Sequence, residues 1–168
     1  MPDDRGGSKQ IPPGLAPGLA SGLEVRAATA SDRAACIRLL TARLDADGVA
    51  HDPDGVARAV ELALAQSSSA WLVIATTHAL PAGVLLANPI VSAARGGAAL
   101  WVEEIYVAPE KRRRGIGRAL LQFAAEEARR NGMRTVEIEA PASSDLSALW
   151  LARLAFTPTG KNRYSCPA

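Results

Sequence analysis

The feature that most constrains this chain is a change of period across one short turn. "ALWVEEIYVAP", residues 99–109, alternates like a strand and stops at a proline. From Gly115 the spacing becomes helical, with Ile116, Ala119, Leu120, Phe123, Ala124 and Ala128 on one face. Asn131-Gly132 closes that helix. Between the two lies "EKRRRGIG", which packs Lys111, Arg112, Arg113 and Arg114 against two glycines one residue apart. Three readings compete: a basic patch for nucleic acid, a solvated helix start, and a cradle for phosphate. The first amides of a helix lack internal acceptors, and the helix dipole favours negative charge there. Glycine lets a phosphate approach the backbone, and arginines add charge-assisted contacts. The order strand, arginines, Gly-x-Gly, amphipathic helix therefore points to the cradle.

Other phosphate motifs do not fit. A Walker loop ends in Gly-Lys-Ser/Thr, and a dinucleotide fingerprint needs a third glycine where this chain has Leu120. A net charge of +2 is too small to imply a polyanion partner for the whole surface. The arginines stop after one turn, and aromatic residues make up only 4%, against a nucleic-acid partner.

The remaining chain supplies elements for one domain. Residues 1–22 are rich in proline and glycine without periodicity and read as a disordered tail, leaving 23–168 as the folded unit. "LEVRAA" alternates like a strand. A helix follows, with Ser31 or Asp32 as N-cap and Ala35, Cys36, Leu39, Leu40 and Leu44 inward. A second helix starts near Pro53 or Asp54. "AWLVIATT" and "AGVLLANPIV" are strands joined by the loop "HALP". "RTVEIEA" is a later strand, "SSDLSALWLARLAF" a last helix, and "KNRYSC" a final short strand. The order β-α-α-β-β-β-α-β-α-β predicts an α/β (α+β) domain, a mixed sheet with helices on its faces.

No apolar run approaches the ~18 residues of a membrane span, and the N-terminus lacks an unbroken apolar core for a signal peptide. The expectation is a cytoplasmic protein without a membrane partner. Cys36 and Cys166 match no metal or redox spacing, and Cys36, on an apolar helix face, reads as a buried reduced thiol.

"VEEIYVAPEKRRRGIGRALLQFAAEEA" resembles the acetyl-CoA-binding motif of the GNAT N-acetyltransferase superfamily. The pattern Arg/Gln-x-x-Gly-x-Gly/Ala is met by Arg112, Gly115 and Gly117, and the likeness runs from about Leu23 to Tyr164. The resemblance implies a mostly antiparallel mixed sheet whose motif strand and next strand, here 101–107 and 135–140, splay apart around a thioester. It implies acetyl-CoA as cofactor, with pyrophosphate on the backbone of Arg112, Arg113, Arg114, Gly115, Ile116, Gly117 and Arg118. The pantetheine arm would run along Ile105, Tyr106 and Val107. It further implies an enzyme acting on a small-molecule or peptide amine, and it allows a homodimer.

The resemblance places a general base at Glu103, at the position of the Glu in the Leu-Glu-Asp strand of polyamine acetyltransferases. Alternation puts Glu103 on the face of Trp101, Ile105 and Val107, with Glu104 and Tyr106 opposite. The competing reading is a pair of carboxylates at a solvated strand end.

The late helix departs from the family. Ser143 replaces the usual Asn, Leu146 an Ala, Ala155 a Gly, and Trp150 the Tyr that protonates the departing thiolate. An indole N–H donates a hydrogen bond but is no acid at pH 7, so Trp150 reads as a wall of the cofactor cleft. Tyr106 and Tyr164 are candidate substitute acids, with packing or substrate contact the favoured reading of each. A degenerate acyl-CoA-binding domain is the alternative function. His51, in the loop between the first helices, is a candidate acceptor contact, and His78 reads as surface.

Overall fold

The turn before the first strand already shows how this chain is anchored: the His78 N–H donates to Gly22 O across the sheet edge at 3.1 Å. The computed structural model describes residues 21–139 and 145–158. The tail over residues 1–20, Ser143, Ser144, Tyr164, Cys166 and the "KNRYSC" strand lie outside the described residues.

In chain order the elements are β1 (Leu23–Ala27), α1 (Arg33–Ala46), α2 (Pro53–Leu64), β2 (Trp71–Thr77), β3 (Leu80–Ser92), β4 (Gly97–Val107), α3 (Ile116–Arg130), β5 (Thr135–Ile138) and α4 (Asp145–Arg153). Among the described residues they form a sheet in the order β1-β2-β3-β4-β5. The pairs are antiparallel as far as β4, and β5 joins β4 in parallel. This is the expected mixed, mostly antiparallel sheet. The crossover helix α3 covers one face, burying Ile116, Leu120, Leu121, Ala124 and Ala128 against Leu85, Leu100 and Val102. On the other face, α1 and α2 bury Cys36, Leu39, Leu40, Val56 and Val60 against Ile74, Val84 and Tyr106. Strands buried on both faces read as nearly unbroken apolar runs, as "WLVIATT" does.

Two local expectations need correcting. The β2–β3 connection is not the four-residue loop "HALP" but a two-residue turn, His78-Ala79, with both φ angles positive. Pairing continues to Thr77↔Leu80, so Leu80 and Pro81 belong to β3, helped by a register shift at Ala75/Thr76.

The entry to α1 also differs. Thr29 starts a 3-10 turn over Ala30–Asp32, and the Asp32 carboxylate caps that turn rather than α1. Asp32 accepts from the Thr29 N–H at 2.8 Å and the Thr29 hydroxyl at 2.9 Å. The Arg26 guanidinium grips it at 2.7 and 3.0 Å. The Arg26 bond, with the Thr29 donors, holds the Asp32 carboxyl well below the usual range. Replacing Asp32 with Ala should cost about 2 kcal/mol, since it removes a cap and a forked ion pair. Arg26 is more than a third open to solvent, so screening limits the loss. Because the folded pKa is depressed, this contribution is present above about pH 4 and fades as pH falls below it. Denaturant midpoints of both forms at pH 7 and pH 3 should therefore converge on acidification.

Candidate active site

The site forms where β4 loses its neighbour. β4 and β5 pair only from Ala99↔Thr135 to Val102↔Ile138. From Glu103 to Val107 no described strand pairs with β4 on that side, so the two strands part as expected. A second irregularity lies at the same place. Leu86 pairs with Glu104 and Ala87 with Val102, so Glu103 is an extra residue in a β-bulge. Pro89, unable to donate to the ladder, sits two residues beyond the shift.

The bulge overturns the expected face of Glu103. Leu100 and Val102 pack with the α3 core, as do Ile105 and Val107, although an unbroken strand would put Val102 and Ile105 on opposite faces. Glu103 is therefore not on the face of Ile105 and Val107. It lines an open hollow of about 300 Å³ under α2, together with Leu86 and Asn88 of β3. Its Oε2 accepts from Asn88 Nδ2 at 2.9 Å.

Glu104 faces α1, where Arg43 Nε lies 3.2 Å from its buried Oε2, a charge contact without hydrogen-bond alignment. Arg43 also pairs with Asp47. Burial pushes the Glu104 carboxyl up; Arg43 opposes this, while Glu103, Asp47 and Glu139 add to it.

At the far end of β4 the chain turns into α3. Gly115 caps the helix at φ +77°, a left-handed conformation open to glycine at no steric cost. Ala119 N–H donates to Gly115 O at 2.9 Å, so the amides of Ile116 and Gly117 have no acceptor inside the helix. Arg113 adopts φ +60°, unusual for a residue with a side chain, and both it and Arg114 are exposed.

Arg112 does something else. Its Nε donates to Val107 O at 3.0 Å, and its guanidinium lies over the Tyr106 ring, 5.5 Å from the centroid. Tyr106 itself is buried on the α1/α2 side. The motif arginine thus ties the turn to the end of β4, although it is exposed like its two neighbours. Ile116 is buried and Arg118 half-buried.

Trp150 closes the corner. A Cβ at Gly117 would lie 3.2 Å from Trp150 Cζ2 and 3.7 Å from Val107 Cγ2. The indole therefore rests on the first turn of α3, and Gly117 is bare on the side that meets it. On this side the glycine accommodates the indole, while the expected phosphate contacts are to the backbone amides of the turn.

His51 sits in the α1–α2 loop, its Nδ1 2.9 Å from Val49 O and its Nε2 3.7 Å from Asp45. These local contacts account for it. Sequence reasoning missed Asn88 and Arg43, which meet the carboxylates only through folding. The Asn88-Pro89 pair inside a strand was the one available signal of irregularity. Among the described residues no group of three or more metal-ligating side chains occurs, and no helix is long and apolar enough to cross a membrane.

Residues 36–156 match the model of the acetyltransferase (GNAT) family. No curated protein matches the chain by sequence. Among solved structures, the aminoglycoside N-acetyltransferase AAC(6')-Iy, in complex with the bisubstrate analogue CoA-S-monomethyl-acetylneamine, is similar. It aligns over 88% of this chain and 99% of its own, with TM-score 0.77 and 18% identity. The ribosomal-protein-alanine N-acetyltransferase of Brucella melitensis biovar Abortus 2308 covers 87% and 99%, with TM-score 0.67 and 18% identity. An acetyltransferase of Trypanosoma brucei covers 86% and 99%, with TM-score 0.67 and 20% identity. At such identities the likeness is one of fold.

Proposed function

The chain belongs to the GNAT acetyltransferase family, and from that premise we propose an acetyl-CoA-dependent N-acetyltransferase that acts directly on a primary amine of a small molecule or peptide. The observation that carries this reading is the edge of β4 left without a strand partner among the described residues, running from the Glu103 bulge to the amide-rich start of α3.

The residues present fit acetyl-CoA. The amides of the turn and first helical residues, Gly115 to Arg118, with exposed Arg113 and Arg114, suit a pyrophosphate. Ile105 and Val107 offer an open strand edge to a pantetheine arm. Trp150 walls the corner, and Arg112 on Tyr106 holds the turn in place. When bound, acetyl-CoA supplies an activated thioester.

The chain's own part begins with the amine. An alkyl ammonium has a pKa near ~10.4, so it must lose a proton before it can attack. Glu103 is placed to take that proton, with Asn88 orienting the carboxylate. The described cysteine, Cys36, is fully buried with its thiol pushed up to about 11 by burial, which argues against a covalent acyl carrier and for direct transfer. Trp150 gives no acid help to the departing thiolate, and Tyr106, buried away from Ile105 and Val107, is badly placed to do so. A thiol of pKa ~8.5 leaves tolerably as its anion.

The test is CoA release, followed by a thiol reagent, across amines, peptides and aminoglycosides. Turnover supports the enzyme; tight CoA binding without turnover on any acceptor supports a degenerate binding domain instead. The division of labour among the arginines is also measurable. Arg113→Ala and Arg114→Ala should each flatten the salt dependence of CoA affinity, because they remove exposed charge. Arg112→Ala should flatten that dependence as well, because its guanidinium keeps its full charge at an exposed position, and should cost further affinity by freeing the turn from Tyr106 and Val107 O.

A further inference from the structure

We propose that the acceptor of this enzyme is a monoamine with an apolar body, held in the hollow between α2 and the β3–β4 strands, rather than a polyamine or an amino sugar with several charges. The inference rests on the acetyltransferase reading of the same site and goes on to name the substrate class.

The hollow has the right position. Glu103, at its floor, lies on the bulge next to the last β4·β5 pair, so an ammonium held there stands beside the parting of the two strands. The hollow, of about 300 Å³, is open to solvent, so what it selects is set by its lining. The walls are apolar on the α2 side, where Ala59, Leu62 and Ala63 stand opposite Leu86, and polar near Asn88. Leu62 is 70% exposed, an aliphatic side chain open to solvent beside a carboxylate. Such a wall suits the carbon body of an amine whose head reaches Glu103.

Charge sets the specificity. Glu103 is the one ionisable group lining the hollow, and its partner, Asn88, is neutral. Several carboxylates nearby are held by arginines. Glu104 and Asp47 share Arg43, Asp52 holds Arg58, and Glu61 of α2 holds Arg33. A polycation would bring several ammonium groups to a hollow whose lining offers one carboxylate, and would leave the rest facing apolar wall. A monoamine matches that single charge.

The test uses the full chain. CoA release is compared for butylamine and benzylamine against spermidine and kanamycin, and amine binding is measured separately by titration calorimetry, which needs no turnover. Wild type should prefer the monoamines by about tenfold or more in kcat/KM. Ala59→Phe, at an exposed position on α2, should fill the hollow, raising monoamine KM and Kd about tenfold with CoA affinity unchanged. Leu62→Asp adds a second carboxylate at an exposed site and should shift preference towards a diamine by a similar factor. Faster turnover of spermidine or kanamycin than of either monoamine would overturn the inference. So would failure of wild type to bind a monoamine, or an Ala59→Phe protein that binds it unchanged. Monoamine binding that Ala59→Phe abolishes, without CoA release on any amine, would sustain the hollow and defeat the acetyltransferase reading instead.

Discussion

Replacing Glu103 with glutamine is expected to lower kcat at pH 7 by about 10²–10⁴-fold, the range of general-base catalysis. The substitution keeps the shape of the side chain and an oxygen for the Asn88 amide, so the bulge and the hollow should survive. CoA affinity should change by no more than about twofold, because the phosphate-binding turn lies at the other end of β4's open edge. The amine KM should rise as well, since the same carboxylate attracts the ammonium. The diagnostic readout is the pH profile. Without a base, the rate should follow deprotonation of the amine itself and climb steadily towards its pKa of ~10.4, so that the deficit narrows at high pH. A residue that merely shaped the strand would show no such recovery. Glu104→Gln makes the contrasting case: Glu104 lies between sheet and α1 beside Arg43, so its loss should act on how α1 sits rather than on this pH dependence. A Glu103→Gln enzyme with wild-type kcat and pH profile would remove Glu103 from the chemistry.

The limits of the sequence reading follow from how each feature is encoded. The change from period 2 to period 3.6 at Gly115 is local, and strand, turn and α3 lie where that change places them. The five described strands pair in chain order, through tight turns from β2 to β3 and β3 to β4 and through helical crossovers from β1 to β2 and β4 to β5. The face of Glu103 was misjudged for a definite reason. Alternation presumes an unbroken pleat, and the bulge arises from pairing with Leu86 and Ala87, residues distant in sequence. Asn88 is likewise fifteen positions from the carboxylate it holds. Arg112 satisfies the family pattern, yet its partners, Tyr106 and Val107 O, are tertiary contacts that no spacing rule predicts. The turn at His78-Ala79 hides because it lacks the Asn-Gly or Asp-Gly pair that marks a two-residue hairpin, and alanine seldom adopts positive φ. Local signals set the elements, and the side-chain partnerships of the site depend on which strands meet.

Gly117→Glu is expected to reduce CoA affinity by about 10²–10³-fold, equivalent to roughly 3–4 kcal/mol. The position is in the first turn of α3, where a carboxylate is welcome to the helix dipole. The helix should therefore persist, with circular dichroism close to wild type. What the carboxylate opposes is a second anion at the same amides, because two negative charges would compete for one cradle. Sterics add to this. Even a methyl group at residue 117 would stand 3.2 Å from Trp150 Cζ2, so the indole must move for any side chain there. The two causes separate in a small series. Gly117→Ala tests displacement of Trp150 alone and should cost affinity modestly, about three- to tenfold, since the indole edge can shift by a few tenths of an ångström. Combining it with Trp150→Ala should relieve the clash and recover that affinity. Gly117→Glu combined with Trp150→Ala should remain defective, because its charge stays where the phosphates would lie. If instead Trp150→Ala restored CoA affinity to Gly117→Glu, the glycine would serve only the packing of α4 on α3. The anion cradle would then have to be sought elsewhere along the turn, at Arg113 and Arg114.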